Sequence, residues 1–104
     1  MQRLENYVLG SWRAGSGKLA PLHDPTTGEQ IAEAGTGGID MKAVLHHART
    51  VGGPRLAEMT FAQRGAMLAT ASKIINAARD ELIEITIRNG GNTRKNAKFD
   101  IDNT

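Results

Sequence analysis

Residues 60–91, TFAQRGAMLATASKIINAARDELIEITIRNGG, decide how the rest of the chain is read, because here a helix start, a sustained period and a stop follow one another. Thr60 with Gln63 three residues on forms a capping box, each side chain serving a free amide of the first turn. Apolar residues recur at Phe61, Leu68, Ala71, Ile75, Ala78, Leu82 and Ile85, in steps that fall on one face of a 3.6-residue helix. Asn89-Gly90-Gly91 ends the pattern, since glycine takes the left-handed conformation that closes a helix. Unbroken, such a helix would run about 45 Å, well beyond the width of a small domain. A break is therefore expected at Arg79-Asp80-Glu81, with Asp80 capping a second helix over about Glu81 to Arg88.

Outward from this stretch, the preceding segment is helical and the N-terminal third extended. Asp40 reads as an N-cap, and Met41, Val44, Leu45, Ala48 and Val51 form an amphipathic stripe expected to end at Gly52-Gly53. Pro54 then opens a short turn, Arg55 to Met59, that delivers the chain to Thr60. Towards the N-terminus, Tyr7-Val8-Leu9 and Trp12-Arg13 flank Gly10-Ser11, which predicts a hairpin with its turn on that pair. Lys18 to His23 is a further extended segment, confined to an edge by Pro21. Asp24-Pro25-Thr26-Thr27-Gly28 is a turn, and Glu29 to Ala34 a strand. The fold class is α+β: extended segments and a hairpin over 1–38, then two to four helices over 39–104, in one incomplete domain.

Composition bounds the function. The 104 residues allow one domain with a modest core that hides 60 to 65% of the unfolded surface, roughly. Hydrophobic residues make up 39% and aromatic ones only 4%, so packing leans on Leu, Ile, Met and Ala. There is no cysteine, hence no disulfide, thiolate metal site or cysteine nucleophile. No secretory signal core or membrane-spanning run is present, which points to a cytoplasmic protein. Arg88, Arg94, Lys95 and Lys98 cluster, but without an aromatic for base stacking and with Asp100 and Asp102 beside them. A solvated connector between helices fits that segment better than a nucleic-acid surface.

Reactive constellations are lacking. Gly35-Thr36-Gly37-Gly38 has neither the Gly-Lys-Ser/Thr ending of a phosphate loop nor the third glycine of a dinucleotide fingerprint, and reads as a linker. His46 and His47 are adjacent on a helix and diverge by about 100°, unsuited to sharing one metal ion. Ser11, Ser16 and Ser72 have no histidine and carboxylate nearby in sequence, and Asp80, Glu81 and Glu84 read as a cap and a solvated face. No catalytic, cofactor-binding or metal-binding residue is assigned.

The series YVLGSWRAGSG, HDPTTGEQIAEA, IDMKAVLHHAR and MTFAQRGAMLATASKIINAARDEL, in this order and spacing, resembles the N-terminal region of the NAD(P)-dependent aldehyde dehydrogenases. That family's patterns are matched by Gly10-Ser11-Trp12, by Asp24-Pro25-Thr26-Thr27-Gly28-Glu29, by Asp40 with Val44, and by Gln63-Arg64 with Leu68. Asp24 stands for the usual asparagine and Gln63 for the usual glutamate. Gly52-Gly53-Pro54, Met59-Thr60-Phe61, Asn92-Thr93-Arg94 and Asp100-Ile101-Asp102 resemble a narrower branch, the semialdehyde dehydrogenases of bacterial phenylacetate and benzoyl-CoA degradation. The resemblance spans residues 6–102 and implies the first fifth, roughly, of such an enzyme. It further implies NAD or NADP as cofactor and a CoA-linked semialdehyde as substrate. The catalytic cysteine, the glutamate that activates water and the dinucleotide-binding elements would lie beyond Thr104, leaving this chain inactive alone. Its partners are then the rest of the enzyme or further copies of itself, through apolar helix faces, in a homo-oligomer. The alternative is a small, complete helical interaction module that docks through Thr60 to Arg88.

Overall fold

A computed structural model describes all residues, 1–104. Five short strands precede a helical half: β1 (Gln2–Arg3), β2 (Glu5–Val8), β3 (Ser11–Ala14), β4 (Ala20–His23) and β5 (Gln30–Ala34). They make two sheets, a β2–β3 hairpin and a three-stranded sheet ordered β1-β5-β4. β5 is central, antiparallel to β4 and parallel to the two-residue β1. Pro21, which has no amide to donate, thus sits on an edge strand as its chemistry requires. The Asn6 side-chain amide donates to Gly35 O at 2.9 Å, and the Arg3 guanidinium donates to Gly15 O, tying hairpin to sheet.

The hairpin exists, but its turn lies one residue earlier than the sequence suggested. Leu9 and Gly10 are the central residues, both left-handed at φ 53° and 78°, and Ser11 already belongs to β3 opposite Val8. A turn with both central φ values positive matches the twist of the flanking strands. Gly10 takes the second position without strain, while Leu9 is carried into the first because the register is fixed elsewhere. Tyr7 faces Trp12 across the ladder, their rings edge to face with centroids 5.2 Å apart.

The Asp24–Gly28 turn forms as its residues dictate. Asp24 Oδ1 accepts from the amides of Thr26 (2.7 Å) and Thr27 (3.3 Å), and Gly28 N–H returns to Asp24 O.

Four helical stretches follow. Asp40 caps α1 (Met41–His47) by accepting from Ala43 N–H. Contrary to expectation, the chain does not leave the helix at Gly52-Gly53. Both glycines stay right-handed, and a π-helical turn over Ala48–Gly52 leads directly into α2 (Gly53–Glu58). Pro54 accounts for this. It has no N–H for the carbonyl four residues back, and the wider turn, closed by Gly53 N–H to Ala48 O, carries the helix past the missing bond.

Helix α3 (Phe61–Ala77) starts with the complete capping box: Gln63 N–H donates to Thr60 Oγ1 (3.1 Å) and Thr60 N–H to Gln63 Oε1 (2.8 Å). A break is present but earlier than expected, at Ala78 rather than within Arg79-Asp80-Glu81, and α4 (Arg79–Gly90) follows at once. Asp80 does not cap it. Ala78 occupies the N-cap with no side-chain bond, and Asp80 lies in the first turn, where its charge complements the helix dipole. The α4 C-terminus closes on Gly91 in the left-handed region, φ 67°. A Cβ at Gly91 would stand 2.8 Å from Pro25 Cγ, so this cap also packs on the Asp24–Gly28 turn and joins the two halves of the chain.

The segment read as a connector contains α5 (Arg94–Asp102), capped by Thr93, whose side chain accepts from Asn96 N–H. Its formation depends on tertiary contact. Ala97, 0% exposed, lies on the side of α5 that meets α4, whose Ile83 is 2% exposed.

These pieces do not close over a core of the expected size. Only four residues are buried, Ala32, Ile83 and Ala97 being the apolar ones. The accessible surface is 7967 Å², against about 5,700 Å² for a compact chain of this mass and about 16,000 Å² unfolded. About half the unfolded surface is hidden, short of the 60 to 65% expected. The radius of gyration is 17.1 Å, where a compact chain of this length has about 13 Å. Exposed apolar side chains are found on most elements, on α3 at Phe61 (87%), Leu68 (66%) and Ile74 (65%).

Candidate functional site

One concave place lies where the sheet half meets α4, and another between α4 and α5. The first is an open groove of about 490 Å³ between β4–β5 and α4. Leu4, Leu22, Ile31 and Ile85 supply apolar walls, and Glu81, Glu84 and Arg88 stand on the rim. No Ser, His or Cys lines it. The second lies over the α4–α5 crossing, where two arginines bridge the helices. Arg79 forms a forked pair with Asp102, Nε to Oδ1 at 2.5 Å and Nη2 to Oδ2 at 2.9 Å. Arg94 Nη1 meets Glu84 Oε1 at 2.5 Å. The hydrogen bonds from Arg94 and Arg79 hold the Glu84 and Asp102 carboxyls below their ordinary range, and both arginines are shifted upwards in return.

This electrostatics has a structural consequence. A general acid needs a pKa raised towards neutrality, whereas Glu84 and Asp102 move the opposite way and stay ionised. They clamp α5 to α4. Arg94, one of four clustered basic residues, is committed to this pair rather than presented as a free cation. Of the reactive residues noted in the sequence, none is brought to a partner. Ser11 Oγ contacts only Arg13 Nε at 3.4 Å, Ser16 and Ser72 meet no histidine, and no three His, Asp or Glu side chains gather as metal ligands.

The family resemblance implies a dinucleotide, and the Gly35–Gly38 loop is the glycine-rich candidate for a phosphate cradle. It does not fit one. Ser16 N–H donates to Gly37 O at 2.7 Å, and a Cβ on Gly37 would fall 2.1 Å from Ser16 O. The loop is thus filled by the chain's own backbone, and the seven-residue α1 that follows offers no free terminus for an anion.

Comparison with known proteins places the chain in a family. The aldehyde dehydrogenase family model matches residues 12–104, nearly the whole chain. The chain belongs to the aldehyde dehydrogenase family. It is similar to the 3,4-dehydroadipyl-CoA semialdehyde dehydrogenase of Aromatoleum evansii, with 42% identity over 100 residues. That alignment takes in 96% of this chain and 19% of the relative, so this aldehyde dehydrogenase sequence spans about a fifth of the relative's length. The match includes the Asp24–Gly28 turn, the Thr60 capping box and the Gly91 cap, the same features that organise the fold here. No helix of this family member is long and apolar enough to cross a membrane.

The groove and the clamp were not foreseen from the sequence. The groove joins residues more than fifty positions apart, Leu22 and Ile31 against Ile85, and the clamp joins two successive helices, so no local pattern encodes either meeting. The one available signal was the alternation of charges along Arg79, Asp80, Glu81 and Glu84 with Arg94 and Asp102 beyond, which a pairing of two helices would have explained.

Proposed function

We propose that this chain is the N-terminal structural segment, a single incomplete domain, of a cytoplasmic NAD(P)-dependent aldehyde dehydrogenase of aromatic-compound catabolism. The enzyme's substrate is a CoA-linked semialdehyde produced by ring cleavage, oxidised to the acid. The 42% identity with the A. evansii dehydrogenase across nearly the whole chain carries this reading. The shape of the molecule supports it: an accessible surface about 2,300 Å² above that of a compact chain is of the size removed by a substantial interface.

In this reading the segment performs no chemistry. Covalent oxidation of an aldehyde needs a thiolate nucleophile, and the chain has no cysteine. Its work is to present prefolded helices, with their caps in place, to the cofactor-binding and catalytic parts of the enzyme. A nicotinamide cofactor would be held by those other parts, where it would supply the hydride acceptor. The test is an assay of aldehyde-dependent NAD(P)H formation with the 104-residue polypeptide. No absorbance change above a protein-free blank is expected, and turnover would overturn the assignment of a purely structural role.

A further inference from the structure

We infer that Asn89 is a modification site, at which the 104-residue chain converts its own side-chain amide to aspartate and isoaspartate and so unlocks the C-terminal end of α4. The inference does not rest on the proposed enzyme assignment.

Of the six asparagines, Asn89 alone is followed by glycine. The reaction needs the backbone nitrogen of the next residue to reach the asparagine Cγ, and a residue without Cβ clears that approach and turns freely into it. Asn76 and Asn96 precede alanine. Asn6, Asn92 and Asn103 have their side-chain amides engaged, by Gly35 O, by the Asp100 carboxylate and by Phe99 O. Asn89 makes no such bond and is exposed at the groove. It also lies in the last turn of α4. A helical backbone holds the following nitrogen away from Cγ, so the reaction runs through states in which that turn is open. Helix ends open at little cost in free energy, and two successive glycines, Gly90 and Gly91, lose the most chain entropy by staying ordered.

In the open turn hydroxide removes the Gly90 amide proton, and the nitrogen attacks Asn89 Cγ. The N–Cγ bond forms, the Cγ–Nδ2 bond breaks, and Nδ2 leaves as ammonia with a proton from water. Water then opens the cyclic imide. Attack at Cγ gives aspartate, whereas attack at the backbone carbonyl carbon leaves the chain running through Cγ as isoaspartate. In sum an amide and water become an acid and ammonia, with no change of oxidation state. Either product places a negative charge in the last turn, where the helix dipole disfavours it. Isoaspartate also adds one backbone atom inside the ring closed by Gly91 N–H and Ile87 O, now 2.9 Å apart. The cap is then lost, and with it the packing of Gly91 on Pro25.

The test incubates the polypeptide at neutral to mildly alkaline pH and follows the peptide containing residue 89 by mass spectrometry and by methyl labelling with an isoaspartyl methyltransferase. Conversion is expected in proportion to hydroxide concentration, at least tenfold faster than at any other asparagine. Gly90→Ala should slow it at least tenfold with the fold intact, because the added Cβ meets only Asn92 side-chain atoms, at 3.5 to 3.7 Å. The converted chain, separated by its added negative charge, should exchange the Gly91 amide hydrogen at least tenfold faster than the parent. An Asn89 that stays unchanged in the folded chain while the urea-unfolded chain converts overturns the inference. So does equal conversion at Asn92 or Asn96, or a Gly90→Ala chain that reacts as fast as the parent, and unchanged exchange at Gly91 refutes the unlocking.

Discussion

Gly65→Ala and Gly91→Ala add the same methyl group to two helical segments, and the structure assigns them opposite signs. At Gly65, inside α3, the backbone is right-handed helical and an added Cβ meets nothing within 4 Å. Alanine there should stabilise by about 0.5–1 kcal/mol, because it loses less conformational entropy on folding. Gly91 is different, with φ at 67°. An L-residue held left-handed costs about 1–2 kcal/mol, against which the gain from a stiffer unfolded chain is about 0.4–1 kcal/mol. The new Cβ must also sit 2.8 Å from Pro25 Cγ, so the Asp24–Gly28 turn has to shift. The net effect is a destabilisation of about 1 kcal/mol or more. Urea unfolding followed by far-ultraviolet ellipticity, at concentrations where the chain is monomeric, reads both. In a Pro25→Ala background the penalty of Gly91→Ala should shrink, isolating the contact from the backbone strain. A neutral Gly91→Ala, or a Gly65→Ala that destabilises, would refute the reasoning.

Thr60→Ala removes one half of the capping box and should cost about 1 kcal/mol of α3 helicity, measured in the same unfolding experiment. Ile83→Ala, at a 2% exposed site, should cost about 2–3 kcal/mol, the low end for a core truncation because the surroundings are thin enough to collapse, whereas Ile85→Ala at a 51% exposed site should cost well under half of that. The α4–α5 clamp should also respond to acid. The folded Glu84 and Asp102 carboxyls lie below their unfolded values, so their contribution is present above the ordinary carboxylate range and is lost as pH falls through the depressed values, below about pH 4. Thermal melts at falling pH should show α5 detaching there, and Asp102→Asn should flatten that dependence; loss of α5 on raising the pH through the same range would contradict the sign.

Local chemistry was legible wherever the decisive atoms lie within a few residues of one another. The Thr60–Gln63 box, the Gly91 stop and the Asp24–Gly28 turn are closed by partners at most four positions away, and each could be read directly, whereas the helix break was foreseen but placed one to three residues late. The edge position of β4 followed from Pro21 alone. Errors arose where a distant partner decides. Leu9 is left-handed because Tyr7 and Trp12 fix the hairpin register. α5 is a helix because Ala97 has Ile83 to pack on and Arg94 has Glu84 to bind, although its own residues, rich in Asn and Lys, read as a loop. β1 has two residues and no signal of its own, since its pairing is made by β5 some thirty positions on. Of the candidate site, the absence of cysteine was plain from composition, whereas the groove and the clamp, both built between elements, were not. The family itself was readable because its spacing of turns and caps survives in short motifs.

The π-helical turn at Ala48–Gly52 has an evolutionary corollary. Such a turn holds one residue more than the α-helix it interrupts, and is the trace that a single inserted residue leaves in a helix that has to continue. Relatives one residue shorter between Val44 and Arg55 should therefore carry an unbroken helix and no proline in register with Pro54. Deleting Gly52 from this chain should draw the wide turn back to α-helical spacing and leave the side of Leu56 that α2 presents nearly unchanged, because the extra residue is absorbed within the turn. A single-residue gap in an alignment at this place would record the loss of a wide turn inside a continuing helix rather than a change in a loop.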